Sequence, residues 1–219
     1  MKSMMIGPLE NMRRSSSCIW FAIAAACLLA GCSSTSSGID ASSGASYGAP
    51  SQTLTICSGY GCIIKDKLVF PAEAQAQLRT IMDEGQESPE AEREALGKAI
   101  AFMETAARNK LRYRADIEYS YQVNSGKRGQ MDCVDESLNT ISFLKYLHGN
   151  GMLRHHKPIN RFAERGMLFD GRYPHKSARM RQNNGVDWAV DSWKRNNGEL
   201  PEIITLAEWY KGNNDASQY

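Results

Sequence analysis

The sequence predicts an α+β fold: helical segments come first, strand segments follow, and a hairpin signal joins the last two strands. The helical segments are "PAEAQAQLRTIMDEG" (71–85), "SPEAEREALGKAIAFMETAARNKL" (88–111) and "DCVDESLNTISFLKYL" (132–147). The strand segments are "RFAERGMLFD" (161–170), "HKSARMRQ" (175–182) and "VDWAVDSW" (186–193). "GRYP" and "NNG" separate them, and the second separator is the hairpin signal. Helices followed by strands argue for an antiparallel sheet with the helices packed beside it.

The chain opens with a segment outside that fold. Arg13 and Arg14 precede the apolar run "CIWFAIAAACLLA" (18–30), which ends in "LAGC" (29–32). A charged stretch, a short apolar stretch and small residues read as a secretory signal over residues 1–31. The run is too short for an ordinary spanning helix. Leu29-Ala30-Gly31-Cys32 resembles the bacterial lipobox, so Cys32 is the expected lipidation site and the membrane is an expected partner. Ser33 follows where an aspartate would resemble the inner-membrane retention signal. The expected location is therefore the cell envelope, anchored in the outer membrane and facing the periplasm. Residues 32–52 contain eight serines and no periodicity, and should form a flexible tether. About 20 such residues hold a domain about 25 Å from its anchor. Residues 53–219 are the domain itself, long enough for one core of ordinary size.

Within the domain, "LTIC" (54–57) reads as a short strand and "SGYG" (58–61) as a turn. Pro71 at the start and Gly85 at the end bound the first helix. Ser88, Pro89 and Glu90 open the second, in which Leu96, Ile100, Met103 and Ala107 share a face. After the polar stretch "NSGKRGQMD" (124–132), Asp132 is the N-cap of the third helix and Asp135 its capping-box partner. Val134, Leu138, Ile141, Leu144 and Leu147 form its expected buried stripe.

Charge excludes one class of partner. The whole chain has 26 basic and 24 acidic residues, and removing Lys2, Arg13, Arg14 and Glu10 with the signal leaves 23 of each. A balanced chain lacks the broad basic surface that phosphate backbones require, so nucleic acid is not an expected partner.

Of six cysteines, Cys18 and Cys27 leave with the signal and Cys32 takes the lipid. Cys57 and Cys62, with glycines between them, can close a small disulfide loop in an oxidising compartment. Either can instead pair with Cys133, or all three can be thiols. If the loop closes, Cys133 is an odd thiol in an exported chain, and a nucleophile is one reason to keep it. It lies in the first turn of the third helix, where the helix dipole favours a thiolate and the neighbouring carboxylates oppose it. No metal site or cofactor is expected, because no set of four convergent ligands is apparent.

Of the histidines, His148, His155 and His156 fall at a helix end or in the loop "HGNGMLRHHKP" (148–158), where surface or capping roles are expected. His175 instead opens a strand, and Asp191 sits in the facing strand within "WAVDSW". If Asn183, Asn184 and Gly185 form a three-residue loop, Gln182 faces Val186, and His175 and Asp191 point to the same face at diagonal reach. A two-residue loop would put them on opposite faces. Trp193 beside them is either a cleft wall or a core residue.

The order Cys133, His175, Asp191, with the cysteine opening a helix and the others on consecutive strands, resembles the transglutaminase-like superfamily. It is most similar to the bacterial transglutaminase-like cysteine proteinases, through "DCVD" (132–135) and "HKSARMRQNNGVDWAVDSW" (175–193). Met131 stands where that family commonly has glycine, and Lys176 where it commonly has an apolar residue. The resemblance implies a papain/transglutaminase-like core with N-terminal helices, a nucleophile helix and an antiparallel sheet. It also implies a Cys133-His175-Asp191 triad that hydrolyses or transfers amide or isopeptide bonds of an envelope protein or peptide. Gln130, Gln122 and Tyr121 are candidate oxyanion donors beside the Cys133 amide. Two other readings remain: a non-catalytic envelope lipoprotein using the fold as a binding or structural module, and an NlpC-like peptidoglycan endopeptidase, whose Asp-Cys-Ser-Gly pattern is absent.

Overall fold

The computed structural model describes residues 53–119, 122–166 and 174–212. The expected signal, the lipidation site Cys32 and the tether lie outside them, as do Tyr121 and the end of the 161–170 segment. Among these residues the fold is mixed α+β, with two antiparallel sheets and four α-helices.

Strands β1 (Thr53–Ser58) and β2 (Ile64–Val69) form a hairpin. β2, absent from the sequence reading, is "IKDKLV", whose three charges mask its alternation. Helix α1 (Ala72–Asp83) starts after Pro71 and ends just before Gly85. In α2 (Pro89–Leu111) the Ser88 hydroxyl accepts the Ala91 amide at 3.1 Å, and Leu96, Ile100 and Met103 are fully buried. Helix α3 is Cys133–Gly149. Four strands follow, adjacent in chain order: β3 (His156–Arg165), β4 (His175–Gln182), β5 (Asp187–Asp191) and β6 (Glu202–Thr205). The short helix α4 (Leu206–Lys211) closes the described chain.

β3 begins five residues before the segment assigned to it from sequence, so His156 belongs to a strand and not to a loop. Pro158 disguised the strand; its missing donor is tolerated because β3 is a sheet edge. The expected stripe of α3 also needs correction. Ile141, Leu144 and Leu147 are buried, but Val134 and Leu138 are only half-buried. Asn139, Thr140 and Phe143 take inner positions, since α3 packs against three strands, β1, β3 and β4. The main core joins Leu54, Ile56, Leu68 and Phe70 of the hairpin segment to both long helices and to Met180 and Val190, and a small second cluster holds Ala163, Ala189 and Trp209.

Asn183, Asn184 and Gly185 form the β4–β5 loop: the Gln182 amide donates to the Val186 carbonyl at 2.8 Å, and Arg181 pairs with Asp187. Continuing the Ala178–Val190 pairing sets Asp191 beside Ser177, two residues from His175 on the same face.

Candidate functional site

The site is built around the start of α3. The Asp132 carboxylate accepts the Val134 and Asp135 amides at 3.1 and 2.9 Å, and Asp135 accepts the Asp132 amide at 3.3 Å. This capping box makes Cys133 the first helical residue.

The hairpin loop grips the same helix start. Cys57 and Cys62 are joined in a disulfide. Between and including them run four consecutive residues with positive φ: Gly59 (83°), Tyr60 (75°), Gly61 (64°) and Cys62 (60°). Two are not glycine, and such residues disfavour this region by roughly 1–2 kcal/mol each. Carboxylates on α3 compensate. The Tyr60 and Cys62 amides donate to Asp135 at 2.7 and 2.6 Å, and the Gly61 amide donates to Asp132 at 3.1 Å. Inward-pointing amides of this kind make an anion-binding concavity. Asn139 completes the clamp, accepting the Cys57 amide at 2.7 Å and donating to the Cys57 carbonyl at 3.0 Å. Cys57, Cys62 and Asp135 converge as metal ligands would, but the sulfurs are bonded to each other and the carboxylate is taken by amides.

His175 and Asp191 meet on the sheet. His175 Nε2 lies 2.6 Å from Asp191 Oδ2, with both side chains buried. Trp209 Nε1 donates to the same oxygen at 2.8 Å. Burial opposes ionisation of Asp191, but the charge and hydrogen bond of His175 and the Trp209 bond hold it below the usual carboxylate range. An ionised carboxylate only accepts, so Nε2 donates, and Nδ1 is the nitrogen left to exchange a proton with another group. Nδ1 is buried and has no hydrogen-bond partner among the described residues. The ring centroids of Trp193 and Trp209 lie 4.8 and 5.6 Å from that of the imidazole, tilted 37° and 35° to it.

Cys133 is a free, partly buried thiol. Its sulfur is approached by the backbone amide of Lys176, the residue after His175, so the nucleophile helix and the histidine strand meet there. Burial pushes the thiol up to about 11; Asp132 and Asp191 push the same way, and the Lys176 amide and ammonium offset them in part. More acids surround this region. Burial holds Glu104 and Asp116 up to about 7 and Asp135 up to about 6, and holds Glu136 well above the usual carboxylate range.

The oxyanion candidates fare differently. Gln130 is buried, with its amide nitrogen donating to the Ala115 carbonyl at 3.1 Å, so its position is structural. Gln122 begins a 3-10 turn (Gln122–Asn124), and Tyr121 is outside the described residues. The Cys133 amide remains, in the helical turn whose first N–H groups lack intrahelical partners. His156 is not a surface residue: it is buried, with Nδ1 2.8 Å from Glu92 Oε1, and Glu92 also accepts the Arg154 and His155 amides. The sequence reading missed Trp209, Asn139 and the role of Asp135 as anchor for the disulfide loop. An aromatic in the six-residue α4 and a polar side chain on a buried helical face carry no periodic signal by which to find them.

No protein-family model matches the chain, and no curated protein or solved structure matches it either.

Proposed function

We propose that the chain is a thiol hydrolase or acyltransferase acting on amide or isopeptide bonds through Cys133, His175 and Asp191, on a papain/transglutaminase-like core. The observation that carries this reading is the buried His175–Asp191 pair, whose one unpartnered nitrogen belongs to the residue next to the amide at the Cys133 sulfur. Such a pair holds an imidazole in one tautomer and stabilises its cation, which is the task of a general base.

In the proposed reaction the Cys133 sulfur attacks the acyl carbon while His175 Nδ1 takes the thiol proton. The C–N bond then breaks, the amine leaves with that proton, and a thioester remains on Cys133. Water, or a second amine, attacks the thioester and restores the thiol. Because the resting thiol is held protonated, proton removal accompanies attack instead of preceding it. The Cys133 amide is the oxyanion donor in this scheme. Lipid anchorage through Cys32 at the outer membrane, facing envelope proteins or peptides, completes the proposal.

The elevated thiol also favours a second reading, in which the same fold serves as a binding module without catalysis. Incubation of the protein with a p-nitrophenyl ester separates the two. The proposed function predicts p-nitrophenolate release and an acyl adduct on Cys133 by peptide mass spectrometry. Both vanish in Cys133→Ala, and acylation slows about 100-fold or more in His175→Ala. Absence of the adduct, or an equal rate in His175→Ala, overturns catalysis in favour of the binding module.

A further inference from the structure

A groove of about 760 Å³, open to solvent, runs beside α3. Its walls are the β1–β2 hairpin and β3, both packed against α3. Its apolar lining includes the half-buried Leu138 and Phe162 and the buried core residue Ile141. Four exposed cations surround them: Lys65 and Lys67 on β2, Lys145 on α3 and Arg161 on β3. Lys67 donates to the Thr55 hydroxyl and Lys145 to the Asn160 side-chain oxygen, both neutral partners. Among the described residues no carboxylate pairs with any of the four. Among the described residues the one acid on the groove, Glu164, is engaged by Lys176.

No residue of the candidate triad lines the groove, but three connections lead from its lining to the thiol. Leu138 is five residues along α3 from Cys133; Cys62, on the wall, donates its amide to Asp135; and the Glu164–Lys176 pair links the rim to the residue whose amide meets the Cys133 sulfur. We infer that this groove docks the substrate beside the candidate site, and that it takes an extended, acid-rich polypeptide segment with interspersed apolar residues that continues to Cys133. The inference rests on the reading of Cys133 as an acyl-transfer nucleophile and adds its substrate class. Lys65 and Lys67 alternate along a strand and so repeat at about 7 Å, the spacing of alternate side chains in an extended peptide. β3 is the edge of its sheet, with an outer row of backbone groups suited to an added strand. The apolar lining and the balanced charge of the chain favour a polypeptide over nucleic acid, which needs a broader basic surface.

The test uses the full-length chain carrying Cys133→Ala, so that binding is measured without turnover. A fluorescein-labelled peptide rich in Glu, Asp and Leu is compared by anisotropy with its Gln/Asn counterpart and with a single-stranded oligonucleotide. The acidic peptide is expected to bind, to weaken as salt rises, and to lose about tenfold or more in Lys65→Glu/Lys145→Glu/Arg161→Glu. These exposed substitutions leave the melting curve unchanged. In the wild-type chain the same peptide slows iodoacetamide alkylation of Cys133. Equal binding of the neutral peptide, equal or tighter binding of the oligonucleotide, or an unprotected Cys133 overturns the inference. None of these outcomes alters the ester assay, so failure of the docking groove and failure of the catalytic reading remain distinguishable.

Discussion

At Cys133 two local effects compete. A helix N-terminus favours an anion by about 0.3–1 kcal/mol, whereas burial and the Asp132 and Asp191 charges push the thiol up to about 11. Burial wins, so the rate of iodoacetamide alkylation should keep rising with pH towards a midpoint near 11, above the free thiol at about 8.5. Asp132→Ser retains an N-cap oxygen but removes a negative charge, and should lower that midpoint. A wild-type midpoint at or below the free-thiol value would contradict this electrostatic picture and indicate a preformed thiolate–imidazolium pair. The sequence identified the competition, since Asp132 and Asp135 flank Cys133. Its outcome depends on burial and on Asp191, 58 residues away in the chain, which becomes a neighbour only through the sheet.

At the level of elements, the start of α3 is held by a loop from the β1–β2 hairpin. Three of its amides bind Asp132 and Asp135, and the Cys57–Cys62 disulfide keeps those amides pointed inward. Replacing both cysteines by serine should cost about 2 kcal/mol from loop closure alone. It should also free the strained loop from α3, so that urea unfolding shifts to lower denaturant and amide exchange rises at residues 59–62. Unchanged exchange there would show that the carboxylates hold the loop without the disulfide. Helices α1, α2 and α3 were legible from Pro71, Ser88, Pro89 and Asp132, because capping is settled by adjacent residues. β2, β6 and α4 were not, being four to six residues long and stabilised by pairing or packing that local sequence does not reveal.

Across the whole molecule, carboxylates are buried in two opposing ways. Glu104, Asp116 and Asp135 are raised to about 7, 7 and 6, so the folded chain keeps protons that the unfolded chain releases above about pH 4. Stability from these groups is complete below their ordinary values and falls as pH rises towards about 7. Glu92 and Asp191 are lowered, by hydrogen bonds and charge that outweigh their burial, and contribute stability that is lost as pH falls below about 4. The melting temperature should therefore be higher at about pH 5 than at about pH 8, by an amount readable in a thermal scan. A melting temperature that rises over this interval would show that the buried acids are ionised in the folded chain.

By itself the sequence determined the three long helices and their caps, the β4–β5 hairpin and the odd cysteine at a helix start; the order of helices before strands was overturned by the β1–β2 hairpin, which precedes α1, and by α4, which follows β6. The sequence also set the conditional parity that would bring His175 and Asp191 together. These are matters of spacing along one chain, and backbone periodicity makes them local. The tertiary structure decided what depends on distant segments meeting: Trp209 on the Asp191 carboxylate, Asn139 and Asp135 on the disulfide loop, Glu92 under His156, and Leu138 in a groove instead of the core. Each is set by which surfaces pack together, and a side chain's role there follows from its neighbours in space.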